Sequence, residues 1–176
     1  MKLKNKQVNR ITKFSEDRVY RYTLWRNWSE IDRWPNYVMF IGLNPSTADE
    51  TKDDPTIRRC IGFAKRWGYS ALCMTNLFAF RATDPKDMMC ALDPIGVEND
   101  YYLLKIAKRA HKIVAAWGTN GSFMQRDISV MRLIGKLECL RKTKSGFPEH
   151  PLYIPYEIIP QLYLVNSTNQ KTQMLD

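Results

Sequence analysis

The chain has 176 residues, of which 44% are hydrophobic and 26% charged, so its composition suits one globular domain and excludes a disordered chain. Lysine and arginine number 27 against 18 aspartate and glutamate, which gives a net charge of +9. This excess favours a nucleic-acid partner over a merely soluble basic protein. No apolar run approaches ~18 residues and the basic N-terminus has no apolar segment behind it, so we expect a cytoplasmic protein without signal peptide or membrane span.

The cysteines and histidines argue against a metal site. The four cysteines, Cys60, Cys73, Cys90 and Cys139, are widely spaced, and only two histidines are present. Zinc sites usually need close Cys/His pairs, so we predict no metal, and three of the cysteines (all except Cys90) should be small core residues. The chain also lacks a GxGxxG loop, a P-loop and a GxSxG elbow, and we predict no cofactor.

The first part of the chain leads into a buried strand. Residues 1–18 are polar and basic without a clear period, and we interpret them as an N-terminal extension. Val19–Trp25 alternates between apolar and polar residues, which indicates an edge strand or a hairpin arm. Tyr37–Leu43 is a continuous apolar run typical of a buried strand. The segment 44–56 that follows is rich in Asn, Pro, Ser and Asp and predicts a loop.

A helix and a second buried strand come next. Asp54 followed by Pro55 predicts a helix start, with a carboxylate N-cap and a proline at the first helical position. Gly68 is expected to end this helix. The helix presents apolar residues at helical spacing: Ile57, Ile61, Ala64 and Trp67. Ala71–Phe80 predicts a second buried strand that runs into a loop.

Two further helix-and-strand pairs complete the pattern. A helix is predicted over Glu98–Ala110, with Tyr101, Leu104 and Ala107 on one face, and a third buried strand over Lys112–Trp117.

Ser122 is expected to start another helix, with Gln125 as its capping-box partner. Leu137–Leu140 predicts a short fourth strand, and the basic segment 142–151 is broken by Gly and Pro into a loop.

The alternation of strands and helices predicts the α/β class. We expect a three-layer α/β/α sandwich around a central, mainly parallel four-stranded sheet. It forms a single domain over residues 19–165, followed by a polar tail over 166–176. Ligands of such sheets bind beyond the carboxyl ends of the strands. The polar segments after the strands are therefore the candidate sites: 44–54, 76–84, 118–122 and 143–153.

Four motifs at these strand ends resemble, in the same order, motifs of the uracil-DNA glycosylase superfamily. They are IGLNPS at 41–46, MTNLFAFRATDP at 74–85, AAWGTNG at 115–121 and PEHPLYIP at 148–155. The first resembles the water-activating GxNPG loop of the mismatch-specific branch, and the second the strand that ends in a base-reading asparagine. The third is similar to a WG strand end, and the fourth to the HPSP loop that presses into the minor groove.

A closer resemblance covers more of the chain. From about Tyr20 to Pro155 the sequence is similar to a family of unknown function found in bacteria and their phages. The stretches that carry this resemblance are GLNPSTAD, DDPTIRRC, WGY, NLFAFRATDP, AAWG and HPLY.

The glycosylase resemblance implies a role for each of several residues. Asn44 would hold the attacking water, His150 would hydrogen-bond the departing base at its O2, and Asn76 would read the Watson–Crick edge. Ser46 stands where a bulky tyrosine bars 5-substituted pyrimidines in the classical uracil enzymes, so the pocket should have room at the C5 edge. Phe78 would contact the base. The residues expected at the DNA backbone are Thr119, Ser122, Lys142, Lys144 and Arg58, and those expected at the minor groove are Leu152 and Tyr153.

The resemblance therefore implies a monofunctional DNA glycosylase that flips out and excises a modified or mismatched pyrimidine, with a modified base of phage DNA as one candidate. Asn44 replaces an acid, and an amide orients water but is a poor base, so catalysis would depend on positioning and electrostatics. In an alternative, Asp49 or Asp53 is the catalytic acid and Arg58 or Arg59 grips a phosphate.

Simpler interpretations stay open for each motif alone. Asn44 fits an ordinary turn, Asn76 a strand cap and Trp117 the core. The glycosylase interpretation is favoured only because all four motifs occur together, in the same order as in that superfamily and each at the end of a strand. Two other functions fit the same residues: a binding module that holds DNA without cutting it, and an N-glycosidase that acts on free nucleotides.

Overall fold

One mixed β-sheet organises the chain. The computed structural model describes residues 9–29 and 36–164, so the polar tail 166–176 and residues 1–8 of the extension lie outside the described part. The strands are β1 Asn9–Phe14, β2 Arg21–Asn27, β3 Tyr37–Gly42, β4 Ala71–Asn76, β5 Lys112–Ala115, β6 Leu137–Cys139 and β7 Gln161–Tyr163. The helices are α1 Pro55–Arg66, α2 Pro85–Met89, α3 Asn99–Ala107 and α4 Arg126–Ile134, with 3-10 turns at Thr119–Gln125 and Pro151–Tyr153.

The expected α/β class is confirmed, but the sheet has seven strands where the sequence predicted four. Its order is β1-β2-β4-β3-β5-β6-β7. Strands β4, β3, β5 and β6 pair in parallel, whereas β1, β2 and β7 add antiparallel neighbours at the two sides. The predicted strand at Val19–Trp25 corresponds to β2, which is an arm of a hairpin and not an edge strand. The edge is β1, which lies inside the predicted extension 1–18.

Helices cover both faces of the sheet. Alternate side chains of β3 enter two separate cores, because successive strand residues point to opposite faces. Met39 packs on the side of α3 and α4, with Leu103 and Val130. Phe40 packs on the side of α1, with Phe63. Cys60, Cys73 and Cys139 are buried as predicted. No helix in residues 9–29 and 36–164 is long and apolar enough to cross a bilayer.

The local prediction for α1 is confirmed at both ends. The Asp54 carboxylate accepts a hydrogen bond from the backbone N–H of Ile57 at 2.8 Å, and Pro55 occupies the first turn. Gly68 ends the helix with φ +80°, and its N–H donates to the Lys65 carbonyl at 3.1 Å. These features depend on neighbours in sequence, which is why the sequence predicts them well.

The predicted apolar face of α3 is wrong. Asn99, Leu103 and Ile106 are buried, whereas Tyr101 is 56% exposed. The helix carries four consecutive large hydrophobic residues, 101–104. The spacing of its hydrophobic residues therefore does not indicate which face of the helix is buried.

The helix predicted from Ser122 is also different. The turn Thr119–Gln125 is interrupted at Phe123, and both Met124 and Gln125 have positive φ, so α4 begins only at Arg126. The Ser122 hydroxyl donates to the Thr119 carbonyl at 3.1 Å instead of capping a helix. The capping box of Ser122 and Gln125 is therefore absent, since a box needs helical backbone between its two members.

Candidate functional site

A cavity of about 390 Å³ opens at the carboxyl ends of β3, β4 and β5. From β3 the chain crosses to β4 on one side and later to β5 on the other, so the cavity lies where the order of the sheet reverses. In open α/β sheets this is the usual place for a ligand. All four sequence motifs contribute to its lining, among others through Asn44, Ser46, Asn76, Trp117, Thr119 and His150.

Asn44 presents a carbonyl oxygen as its free polar group. Its Nδ2 donates to the carbonyl of Pro45 at 3.1 Å and to that of Ala82 at 2.8 Å. Both partners are carbonyl oxygens, which only accept hydrogen bonds. The NH₂ group of the Asn44 amide must therefore face them, and this sets the orientation of the side chain. The remaining atom, Oδ1, is an acceptor and can orient a water molecule.

Asn76 ends β4 at the cavity wall and is only 3% exposed. Its Nδ2 is buried without a hydrogen-bond partner in the described part of the chain. Gly42 is required beside it, because a Cβ at that position would lie 2.9 Å from Asn76 Oδ1. A buried amide with an unused donor is costly, and such groups are often kept for a ligand or a water.

The loop after β6 returns to the cavity and carries His150. Gly118 adopts φ +71° and ψ −169°, a region open essentially to glycine, and its N–H donates to the Pro148 carbonyl at 2.9 Å. Arg59 of α1 donates to the carbonyls of Pro151 and Ile154, which ties the segment after His150 to the helix.

The surroundings of His150 favour the neutral imidazole with its proton on Nε2. Its Nδ1 accepts from the Leu152 N–H at 3.4 Å, which leaves the proton on Nε2, and Nε2 lies 3.4 Å from the Thr56 hydroxyl. Desolvation lowers the pKa of His150 although its side chain is exposed at the cavity mouth, and the Asp54 carboxylate opposes this shift. A neutral imidazole can donate one hydrogen bond into the cavity.

Among the described residues, Asp54 is the carboxylate that lines the cavity. The sequence identifies Asp54 only as a helix cap, and its place in the cavity was missed. Asp54 precedes Thr56 at the start of α1, and both residues line the cavity with His150. The cap bond uses the Asp54 Oδ1 atom.

The alternative acids are engaged elsewhere. The Asp49 carboxylate accepts from the N–H groups of Lys52 and Thr51, and these bonds lower the pKa of Asp49 to about 2. Asp53 pairs with Arg26 at 2.6 Å and with Arg10 at 3.0 Å. Both acids stabilise the loop before α1 and lie outside the cavity lining.

Several predicted contacts lie away from the cavity. Phe78 is fully buried in the core, with its ring 5.6 Å from that of Phe123. Arg58 donates to the Asp53 carbonyl. The Lys142 ammonium lies 5.6 Å from the ring centre of Tyr163. The remaining predicted DNA contacts are at the surface: Ser122, Lys144 and Tyr153 are exposed and Leu152 is half-buried.

Arg21 is a further lining residue that sequence reasoning missed. It lies at the start of β2, within a region predicted only as a strand. Polar and apolar residues alternate around Arg21 as they do in any half-exposed strand. The sequence therefore carries no indication that the Arg21 side chain is buried. No group of three His, Cys, Asp or Glu side chains in the described residues is placed to hold a metal ion.

Comparisons with known proteins identify a family and no function. A search of curated proteins and a search of solved structures each found no match to the chain. A family model described as "Protein of unknown function (DUF1643)" matches residues 21–152. That range includes β2 to β6 and all the lining residues named above. Because this match spans well over half of the sequence, the chain belongs to the DUF1643 family.

Proposed function

We propose that this protein is a DNA glycosylase, related to the uracil-DNA glycosylase superfamily, that excises a modified or mismatched pyrimidine. The observation that carries the proposal is one cavity in which Asn44, Asn76 and His150 meet although they come from three separate motifs. The volume of about 390 Å³ suits a flipped-out nucleotide, since small-molecule pockets span roughly 300–1,000 Å³. The α/β sheet with helices on both faces supports the same proposal.

The proposed reaction breaks the bond between the base and C1′ of the sugar. The electron pair of this bond moves onto the base, and the oxygen of a water molecule bonds to C1′. Asn44 Oδ1 orients the water, because it is the atom of that amide left free by the backbone. Holding the water next to C1′ lowers the barrier chiefly through positioning.

His150 assists the departing base in this proposal. The base leaves with a negative charge shared by its ring nitrogen and O2, and a donor close to O2 stabilises that charge. The Nε2–H of a neutral imidazole is such a donor, and the lowered pKa keeps His150 neutral near pH 7. Asn76 offers its amide to the polar edge of the base.

Asp54 supplies the negative charge that Asn44 lacks. The sugar is cationic in the transition state, and a carboxylate in the same cavity stabilises it. Asp54 also accepts the proton released by the attacking water. This assignment replaces the alternative acids Asp49 and Asp53, whose carboxylates are used within the loop.

The charge distribution supports a DNA substrate. The net charge is +9, and the exposed Lys144 lies on the loop between β6 and His150. Exposed cations such as Lys144 would neutralise phosphates and make binding depend steeply on salt concentration. A second function, hydrolysis of free nucleotides, is favoured by one observation, the buried cation of Arg21 inside the cavity.

Release of the base tests the proposal. Purified protein is incubated with duplex and single-stranded oligonucleotides that carry uracil, thymine opposite guanine, or several 5-substituted cytosines. Alkali then converts abasic sites into strand breaks. Asn44→Ala and His150→Ala should abolish the breaks. Asn9→Ala in β1 and His111→Ala before β5 are matched controls, since both residues are exposed and distant from the cavity in the fold.

The three functions predict different outcomes. Breaks that vanish in the two cavity variants and persist in the controls support the glycosylase and name its base. No breaks on any substrate, with salt-sensitive binding of DNA retained, would exclude excision of those bases and favour a binding module. Release of the base from free nucleotides, assayed in parallel, without release from any oligonucleotide would favour the nucleotide N-glycosidase.

A further inference from the structure

Arg21 is a buried cation without a counter-ion. Its side chain is 2% exposed and lines the cavity. Nη1 donates to the Ala48 carbonyl at 2.8 Å, whereas Nε is buried without a partner. Within residues 9–29 and 36–164, no carboxylate lies within ion-pair distance of this guanidinium.

The other buried arginines have counter-ions. Arg26 is fully buried and its Nε lies 2.6 Å from an oxygen of Asp53. Arg126 is 4% exposed and pairs with Asp100. An unpaired buried charge is strongly destabilising. Two of the three buried arginines have a carboxylate partner, so we expect a negatively charged partner for Arg21 as well. A ligand in the cavity can do so.

The charges around Arg21 favour an anion. Burial lowers the pKa of Arg21 to about 10, which still leaves the side chain cationic at neutral pH. Asp54 is the carboxylate that acts on it, and it acts from beyond ion-pair distance. Arg26 on the same strand and Arg81 on the loop after β4 lower the pKa of Arg21 further. The charge of Arg21 is therefore left without a close partner, and an anion in the cavity can pair with it.

We propose that Arg21 forms an anion-binding subsite in this cavity, which accepts a carboxylate or phosphate group of the ligand. The guanidinium is held by the Ala48 carbonyl, two residues after Ser46, and the small side chain of Ser46 lines the same cavity. The bound group thus lies on the side of the loop that follows β3. The identification of the ligand as a pyrimidine nucleotide rests on the proposed function.

The oxyanion can come from two parts of a nucleotide. It is either an acidic substituent on the base or the phosphate of the nucleotide itself. A planar guanidinium binds both in the same two-pronged geometry. The chemistry of the subsite is the same in either case, and matched ligands distinguish the two.

Calorimetric titration of the full chain with two ligand pairs tests the subsite. One pair is uracil and uracil-5-carboxylate, and the other is deoxyuridine and deoxyuridine 5′-monophosphate. In at least one pair the anionic member should bind about tenfold more tightly, as expected for a charge-assisted hydrogen bond. Arg21→Met should remove this preference and leave binding of the neutral member unchanged. The pair that shows the preference identifies the source of the oxyanion.

Thermal unfolding separates a binding role from a structural one. Arg21→Met removes an uncompensated buried charge and should unfold at no lower temperature than the wild type. Arg26→Met is the matched control, and it should unfold at a lower temperature because it deprives Asp53 of its buried partner.

Three results would overturn the subsite: equal binding of both members in both pairs, no binding of either anionic ligand at millimolar concentration, or a preference that survives Arg21→Met. Base release from oligonucleotides is measured separately, so failure of the subsite and failure of the glycosylase proposal are distinguishable.

Discussion

The imidazole Nε2 of His150 lies 3.4 Å from the hydroxyl of Thr56, although the two residues are 94 positions apart in the chain. Thr56 belongs to the first turn of α1, and His150 closes the loop that returns from β6. The contact brings the imidazole to the same helix start that carries Asp54. The proposed donor for the leaving base and a carboxylate therefore line one cavity.

Asp54→Asn should separate the role of Asp54 as a helix cap from its proposed role in base release. Asparagine caps helices about as well as aspartate, so the free energy of unfolding should change by less than about 0.5 kcal/mol. The loss of the negative charge should slow base release by roughly 100-fold or more. Initial rates of strand cleavage and urea unfolding measure the two effects.

Asp84→Asn is the control for this substitution. Asp84 also precedes a proline and caps a helix, α2, through the N–H of Lys86 at 2.9 Å, but it does not line the cavity. Its release rate should match the wild type. Unchanged release in Asp54→Asn would remove Asp54 from the proposed reaction.

Base release should persist below the usual titration range of histidine. The neutral form of His150 is the proposed donor, and desolvation lowers its pKa from the ordinary value of 6.5. The rate should therefore stay constant as the pH falls through 6.5 and decline only at lower pH. The same shift destabilises the fold below pH 6.5, where the unfolded chain binds the proton more readily.

A variant and NMR titration test the origin of this shift. Asp54 raises the pKa of His150, so Asp54→Asn should move its titration to still lower pH. The chain has two histidines, and His111→Gln assigns the two ring signals. A His150 that titrates at or above the ordinary value would contradict the neutral donor.

Asp53→Ala should destabilise the fold without a specific loss of chemistry. It leaves the fully buried Arg26 without its carboxylate, and breaking a buried pair typically costs about 3–5 kcal/mol. Arg10→Ala removes the more exposed partner of Asp53 and should cost less than about 1 kcal/mol. Urea unfolding measures both. At low temperature the folded Asp53→Ala protein should still release the base, and its failure to do so would revive Asp53 as the acid.

Gly118→Ala should impair both stability and base release. A non-glycine residue at φ +71° and ψ −169° is expected to cost about 1–3 kcal/mol. Relief of this strain would move the N–H that holds Pro148, and His150 with it. Gly68→Ala is the control, since Gly68 also has positive φ but ends α1 outside the cavity lining. Equal release rates in the two variants would show that the Gly118 contact does not position His150.

Local sequence determined those parts of the fold that depend on neighbours in the chain. The Asp54 cap, the Pro55 start and the Gly68 end were all predicted, because each needs only a few adjacent residues. The buried strands β3 to β6 were predicted from apolar runs. The edge strands β1 and β7 were not, since neither is an apolar run: β1 is half-exposed and two of the three residues of β7 are exposed.

The composition of the cavity depended on the tertiary structure. Asp54 and Asp84 carry the same Asp-Pro pattern and both cap a helix through the carboxylate, yet only Asp54 lines the cavity. Arg21 follows the alternation of an ordinary strand, and its burial arises because the loop after β3 folds over it through Ala48. The sequence by itself determined which motifs end the strands and that they share one edge of the sheet. Which charges meet there was decided by contacts between residues distant in the chain, and a local pattern does not encode such contacts.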